Sequence, residues 1–222
     1  MASTPKILTG EQERFLDLVS ASPSLTKRFY LTGGTPLSAF YLHHRHSEDL
    51  DLFSEEEISL LGIRSFIGKV QKTCRLAKID YRNFYGLHSF QLFFPNKIIL
   101  KVDFNYYPFP RIEKGMNYKK VAVDSLLDIA VNKVHTVAMK PRARDFIDLY
   151  FIVKTTRFSF SDLLLKAKIK FDWHIDPVQL GTRLLEATEV VDYPRMIKKI
   201  DHREWKNFFV EEARKLKKKI FK

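Results

Sequence analysis

The stretch GGTPLSAFYLHHRHSEDLDLF, residues 33–53, decides how the rest of the chain is read. Just before it, Phe29 to Leu31 is a short apolar run that stops at Thr32-Gly33-Gly34-Thr35. Leu37, Phe40 and Tyr41 then recur three and four apart, as on one helix face. The stretch closes on Asp49 to Phe53, DLDLF, where acid and apolar residues alternate. That alternation is a strand with Leu50 and Leu52 on one face and Asp49 and Asp51 on the other. The expected order is strand, glycine turn, helix, strand.

Outward from this unit, Thr9 to Gln12 fits a capping box, and Phe15, Leu16 and Val19 follow at helical spacing until Pro23. A further helix is expected over Leu60 to Arg75. Ile79 to Phe84, Ser89 to Phe93 and Ile98 to Tyr106 have strand character, joined around Gly86 and Pro95-Asn96, so a hairpin meander is the economical topology. From Asp124 the pattern turns helical. Leu127, Ala130, Val131, Val134 and Ala138 form one stripe ending before Pro141, and Phe146, Leu149, Tyr150 and Val153 form a second. Asp176-Pro177 and Tyr193-Pro194 place proline at expected first helical positions of two more helices. The reading is an α+β fold: a mixed sheet with flanking helices over residues 1–115, then a helical C-terminal domain over 116–222.

Composition is that of a folded protein: of 222 residues, 45% are hydrophobic and 29% charged, which excludes a mainly disordered chain. A single cysteine, Cys74, excludes an internal disulfide or a cysteine-rich zinc site and suits a reducing compartment. Glu11, Glu13 and Asp17 interrupt any signal-like apolar stretch, and no run approaches the ~20 apolar residues of a membrane span. A cytoplasmic protein with no membrane partner is expected. The net charge of +12 favours polyanionic partners. Part of it is the tail RKLKKKIFK, Arg214 to Lys222, which is equally a solvated helix end or a phosphate-backbone contact.

Two carboxylates on one strand face, Asp49 and Asp51, suit a hard cation such as Mg²⁺ that completes its shell with water and phosphate oxygens. Alone, such a pair is more often the solvent face of an edge strand. The glycines add to it, because backbone N–H groups at Gly33-Gly34-Thr35 can approach phosphate without Cβ interference at a helix start. A third acid, Asp103 in KVDFNYY, falls on the face opposite Leu100, Val102 and Phe104, together with Lys101. Three carboxylates brought together repel one another unless a cation neutralises them, so the trio points to metal more strongly than any pair. Two ions held there would lower the pKa of an attacking hydroxyl and stabilise leaving pyrophosphate. His43, His44 and His46 lack the i, i+4 spacing of a helical zinc site, no GxxxxGK[ST] run exists, and Cys74 has no histidine base close in sequence.

With thirteen residues between Thr35 and Asp49, the pattern resembles the nucleotidyltransferase superfamily related to DNA polymerase β. The fuller order HR-x-S-x-D-L-D, carrying Arg45, Ser47, Asp49 and Asp51, resembles the narrower AbiEii/AbiGii toxin-like nucleotidyltransferases. Lys133 in DIAVNKV and the RDFID run from Arg144 to Asp148 match that family's later elements. The resemblance covers roughly residues 29 to 153. It implies transfer of a nucleoside monophosphate from an NTP to an acceptor, with the 3′ end of tRNA as the expected RNA target and an antitoxin protein as a possible partner. By the same resemblance Gly33, Gly34 and Thr35 hold the triphosphate, while Asp49, Asp51 and Asp103 bind two Mg²⁺ ions, with Asp103 alternatively the base. Lys133 neutralises phosphate charge, Asp145 completes the site, and Arg45 and Ser47 position the loop or touch phosphate. Asp148, one helical step from Asp145, serves the site or equally caps or pairs with a nearby arginine. The competing readings are a non-catalytic nucleotide- or RNA-binding protein with the same fold, and a transferase acting on a protein or small molecule.

Overall fold

A computed structural model describes residues 7–174 and 176–220, with the side chains of 217–220, including the tail lysines at 217–219, outside the described residues. The chain forms two compact units, Met1–Tyr41 with Ser47–Ser125, and Leu42–His46 with Leu126–Lys222. The first thus runs past the expected boundary at 115, because a last pair of strands adds to its sheet.

In chain order the first unit contains helix α1 (Gly10–Ser20), a short α2 (Pro23–Thr26), strand β1 (Tyr30–Thr32), and α3 (Gly34–Pro36), which passes into a π-helical segment, Leu37–Leu42. Then come β2 (Leu50–Ser54), α4 (Leu60–Cys74), β3 (Lys78–Phe84), β4 (Leu87–Phe93), β5 (Ile99–Tyr106), β6 (Asn117–Tyr118) and β7 (Val121–Val123). The strands form one mixed sheet in the order β3-β4-β5-β2-β1-β7-β6. The β3-β4-β5 meander is antiparallel, β2 lies parallel to β5, and β1 runs antiparallel to β2 and parallel to β7.

The capping box forms: the Thr9 hydroxyl accepts from the Gln12 amide at 3.2 Å, and the Gln12 side chain accepts from the Thr9 amide at 3.0 Å. It starts α1 so that Phe15, Leu16 and Val19 face inward and are fully buried. The period of two in the strands does the same for the sheet, burying Leu31, Leu50, Leu52, Leu92, Leu100, Val102 and Phe104 on one face. Ile63, Phe66, Ile67 and Val70 of α4 join that core, and Phe15 meets Phe66 edge to face at 5.6 Å. Burial of each such side chain contributes about 1.5–3 kcal/mol. The opposite sheet face carries the alternating polar residues.

The second unit contains α5 (Leu126–Met139), α6 (Ala143–Thr155), α7 (Phe160–Lys170), α8 (Pro177–Leu185), a 3₁₀ turn at Glu186–Thr188, and α9 (His202–Ile220). Its core is aromatic: the Phe146 ring stacks near Trp205 at 6.1 Å and meets Phe209 at 4.8 Å. Asp176 caps α8 as expected, accepting from the Gln179 amide at 2.8 Å.

Three expectations change. The helix after the glycines is short and becomes π-helical, so its backbone widens within nine residues of Gly34. Tyr193-Pro194 opens no helix; the chain there is extended, and the Arg195 carbonyl accepts from the His46 amide at 2.8 Å while Met196 bridges Arg45. Helix α7 and strands β6 and β7 were not expected. Ser159 caps α7 by accepting from the Asp162 amide, a signal present in the sequence.

Candidate active site

Register brings the acids of the first unit together. Asp51 on β2 is the direct partner of Asp103 on the parallel neighbour β5, and Asp49 enters β2 two residues earlier. Thr32 is the partner of Asp51 on the other side, Ser89 of β4 is the partner of Asp103, and Arg82 of β3 is the partner of Ser89. A polar row, Thr32-Asp51-Asp103-Ser89-Arg82, therefore crosses five strands on the face opposite the core.

Gly33 has φ +81°, a left-handed conformation that favours glycine, and a Cβ there would lie 2.4 Å from Asp51 Oδ2. Its missing side chain is what lets the turn close over the carboxylate. Thr35 is buried, and its hydroxyl donates a short hydrogen bond to the Asp49 carbonyl, fixing the entry to β2. The Ser47 carbonyl accepts from Gln12 Nε2 at 2.9 Å, tying the same approach to α1.

Asp103 is buried, and both its oxygens are engaged: Ser89 Oγ donates to Oδ1 at 2.6 Å and Lys101 Nζ to Oδ2 at 2.6 Å. Burial works against the Lys101 ammonium, yet the Asp103 hydrogen bond and the charges of Asp103, Asp49 and Asp51 raise its pKa above the ordinary lysine value. An internal cation thus stands in the field of all three acids. Among the described residues no group of three or more His, Cys, Asp or Glu side chains is placed to hold a metal ion. The hard carboxylate donors fit Mg²⁺ in kind, and the lysine marks where positive charge is required, but Asp103 is turned to its two protein partners.

The second unit gathers the other expected residues into a buried ionic network. Asp148, fully buried, accepts from Arg45 Nε at 2.6 Å and Nη2 at 2.8 Å, and lies 2.8 Å from His44 Nε2 and 2.7 Å from Lys133 Nζ. Lys133 also donates to Asp145 at 2.7 Å, whose other oxygen accepts from Arg142 Nε at 2.9 Å. Burial opposes ionisation of both acids, but Lys133 with Arg142 lowers the Asp145 pKa, and Lys133 with Arg45 and His44 holds Asp148 well below the usual carboxylate range. Burial outweighs the Asp148 contact at His44 and depresses its pKa, so the ring is neutral near pH 7. Its Nδ1 has no hydrogen-bond partner, which also disfavours a second N–H there.

Comparison with known proteins accords with this geometry. Over residues 14–218 the chain matches the model for the nucleotidyl transferase AbiEii toxin of type IV toxin–antitoxin systems. The chain belongs to the AbiEii nucleotidyl transferase family. Two solved Helicobacter pylori proteins share the fold. JHP933 is 18% identical with a TM-score of 0.55, covering 93% of this chain and 90% of that one. A candidate nucleotidyltransferase is likewise 18% identical, with a TM-score of 0.57 and coverage of 96% and 97%. An uncharacterised Aquifex aeolicus (strain VF5) protein, aq_aa25, is 28% identical over 168 residues, 74% of this chain and 76% of that protein.

This AbiEii-family chain is therefore a nucleotidyltransferase, and its mixed sheet with flanking helices is the expected fold. Gly33, Asp49, Asp51 and Asp103 come together in the first unit, and Arg45, Lys133 and Asp145 in the second. Arg45, with all its guanidinium nitrogens bonded to Asp148 and the His46 carbonyl, has the geometry of a loop-positioning residue. Sequence reasoning placed Lys101 on the face of Asp103 without giving it a role, and it did not single out Ser89. Both share the sheet face of Asp103 by the period of two, which was the available signal.

Proposed function

We propose that the protein moves a nucleoside monophosphate from an NTP to a hydroxyl of RNA, with the 3′ end of tRNA as first candidate. The observation that carries this reading is the pairing of Asp51 with Asp103 on adjacent strands beneath Gly33, with Asp49 two residues away. In the proposed step the acceptor O–H gives its proton to Asp103 and its oxygen bonds to the α-phosphorus. The bond from that phosphorus to the bridging oxygen breaks, and pyrophosphate leaves with that electron pair. Asp49, Asp51 and Asp103 would hold Mg²⁺, which supplies neutralisation of phosphate charge and polarisation of the phosphoryl oxygens. Asp103 must exchange Lys101 for that role. Gly33, Gly34 and Thr35 form the triphosphate turn, and Ser47 shapes its approach.

The family pattern supports a role for Lys133 and Asp145 in nucleotide transfer. In their network three cations, Arg45, Lys133 and Arg142, face two carboxylates, which suits a Lys133 that shares its charge with phosphate. The basic surplus supports a polyanionic acceptor, the family supports an antitoxin partner, and a cytoplasmic location suits the single cysteine. Among the described residues no helix is long and apolar enough to cross a membrane.

The test is incubation of wild type and Asp51→Ala with Mg²⁺, each labelled NTP and total cellular RNA. Label in a tRNA-sized band with wild type alone is the expected result. Label on protein or on a small molecule would replace the acceptor, and no label in any fraction would favour a binding protein.

A further inference from the structure

The row of residues that carries the acids continues beyond them. On the far side of Asp103, strands β3, β4 and β5 shape a cavity of about 160 Å³ lined by Asp80, Arg82, Phe84, Ser89, Gln91 and Lys101. Two of these residues, Ser89 and Lys101, are the direct partners of Asp103, so the groove lies beside the proposed base. Its charges are unequally satisfied. Asp80 pairs with Lys78 at 2.8 Å and Lys101 pairs with Asp103, whereas the Arg82 side chain is exposed and forms no ion pair or hydrogen bond with another described residue. Phe84, two residues along the same strand face, is 57% exposed.

We infer that this groove seats the single-stranded 3′ end of the RNA acceptor, with Arg82 on the terminal phosphodiester and Phe84 against a base. The inference rests on the transfer reaction proposed above and follows from its stereochemistry. Attacking and leaving oxygens lie roughly in line across the phosphorus. With the triphosphate on the Gly33 side of Asp51, the acceptor must arrive from the opposite side of Asp103, along β4 and β3. Arg82 lies two strand spacings from Asp103, about 10 Å, within reach of the phosphate of the nucleotide whose hydroxyl Asp103 would deprotonate. A guanidinium binds phosphate through paired N–H donors, and an exposed aromatic ring beside a cation is the usual platform for an unpaired base.

The test uses the full chain and a fluorescein-labelled 12-nucleotide single-stranded RNA with a free 3′ hydroxyl, read by anisotropy over a salt series. Both side chains are exposed, so Arg82→Ala and Phe84→Ala are expected to unfold at the wild-type temperature. Arg82→Ala is expected to weaken RNA binding about five- to tenfold and to reduce the slope of log affinity against log salt by about 1. Phe84→Ala is expected to weaken it at least about fivefold with the slope retained, since stacking carries no charge. NTP affinity, titrated separately, stays at the wild-type value in both. Unchanged RNA affinity and slope in Arg82→Ala, with wild type still labelling RNA, would overturn the groove and leave the reaction standing. Failure of wild type to label any RNA would overturn the reaction, and the groove with it.

Discussion

Replacing Asp148 with Asn keeps the shape of the side chain and deletes the charge at the centre of the helical unit. Asp148 is fully buried and its two oxygens answer Arg45, His44 and Lys133 at 2.6 to 2.8 Å. The amide offers one acceptor oxygen in place of two and turns an N–H toward a cation. Arg45 then has no carboxylate, and Lys133 keeps only Asp145. Removing one partner of a buried pair typically costs about 3–5 kcal/mol, because the remaining charge stays desolvated. At about 2–4 °C per kcal/mol for a chain of this size, the unfolding temperature should fall by roughly 6–20 °C in calorimetry at pH 7.5. Arg142→Ala is the control: the Arg142 side chain is 48% exposed, so its pair with Asp145 is worth about 0–1 kcal/mol. A shift within about 2 °C for Asp148→Asn would refute the reasoning, since it would mean that Arg45 and Lys133 do not depend on this carboxylate.

Other outcomes follow from the same contacts. The depressed pKa of His44 means that the unfolded chain binds its proton first, so stability should fall as pH drops below about 6.5, and calorimetry of His44→Gln should show a flatter pH profile through that window. The depressed pKa values of Asp145 and Asp148 contribute stability above the ordinary carboxylate pKa of about 3.9, which is lost as pH falls through their lower folded values and sets the acid-unfolding limit. Gly33→Ala combines a positive φ with a Cβ 2.4 Å from Asp51 Oδ2, and should lower stability by about 1–3 kcal/mol in chemical denaturation while weakening NTP binding. Lys101→Met removes the internal cation from the acids and should tighten Mn²⁺ binding roughly three- to tenfold in titration calorimetry, whereas weaker binding would mean that the lysine assists the ion.

Most of the sheet was legible because its signals are local. The capping box at Thr9 and Gln12 and the alternation of DLDLF each fix an element without reference to distant residues, and Asp103 could be placed by its parity with Val102 and Phe104. The π-helical segment was not legible, because the spacing of Leu37, Phe40 and Tyr41 does not distinguish a widened turn from an α-helix. Pro194 suits a first helical turn and an extended segment equally. What decides between them is the pairing of Arg195 and Met196 with residues 45 and 46, some 150 positions away. The same holds for Asp148: its spacing from Asp145 allowed either a site role or an arginine pair, and a contact 103 residues distant in sequence, with Arg45, makes it the anchor of the segment before the acids. Lys101 was visible on the face of Asp103, but a same-face neighbour becomes a counterion only when the strand register sets three carboxylates around it.

The most direct measurement is the rate of transfer from an α-labelled NTP by wild type and Asp103→Asn, with both unfolding temperatures recorded. If Asp103 is the base, the variant should stay folded and lose about 10²–10⁴-fold in rate. Transfer within a few-fold of wild type by a folded Asp103→Asn protein would contradict the assignment of this sheet face as the reaction centre.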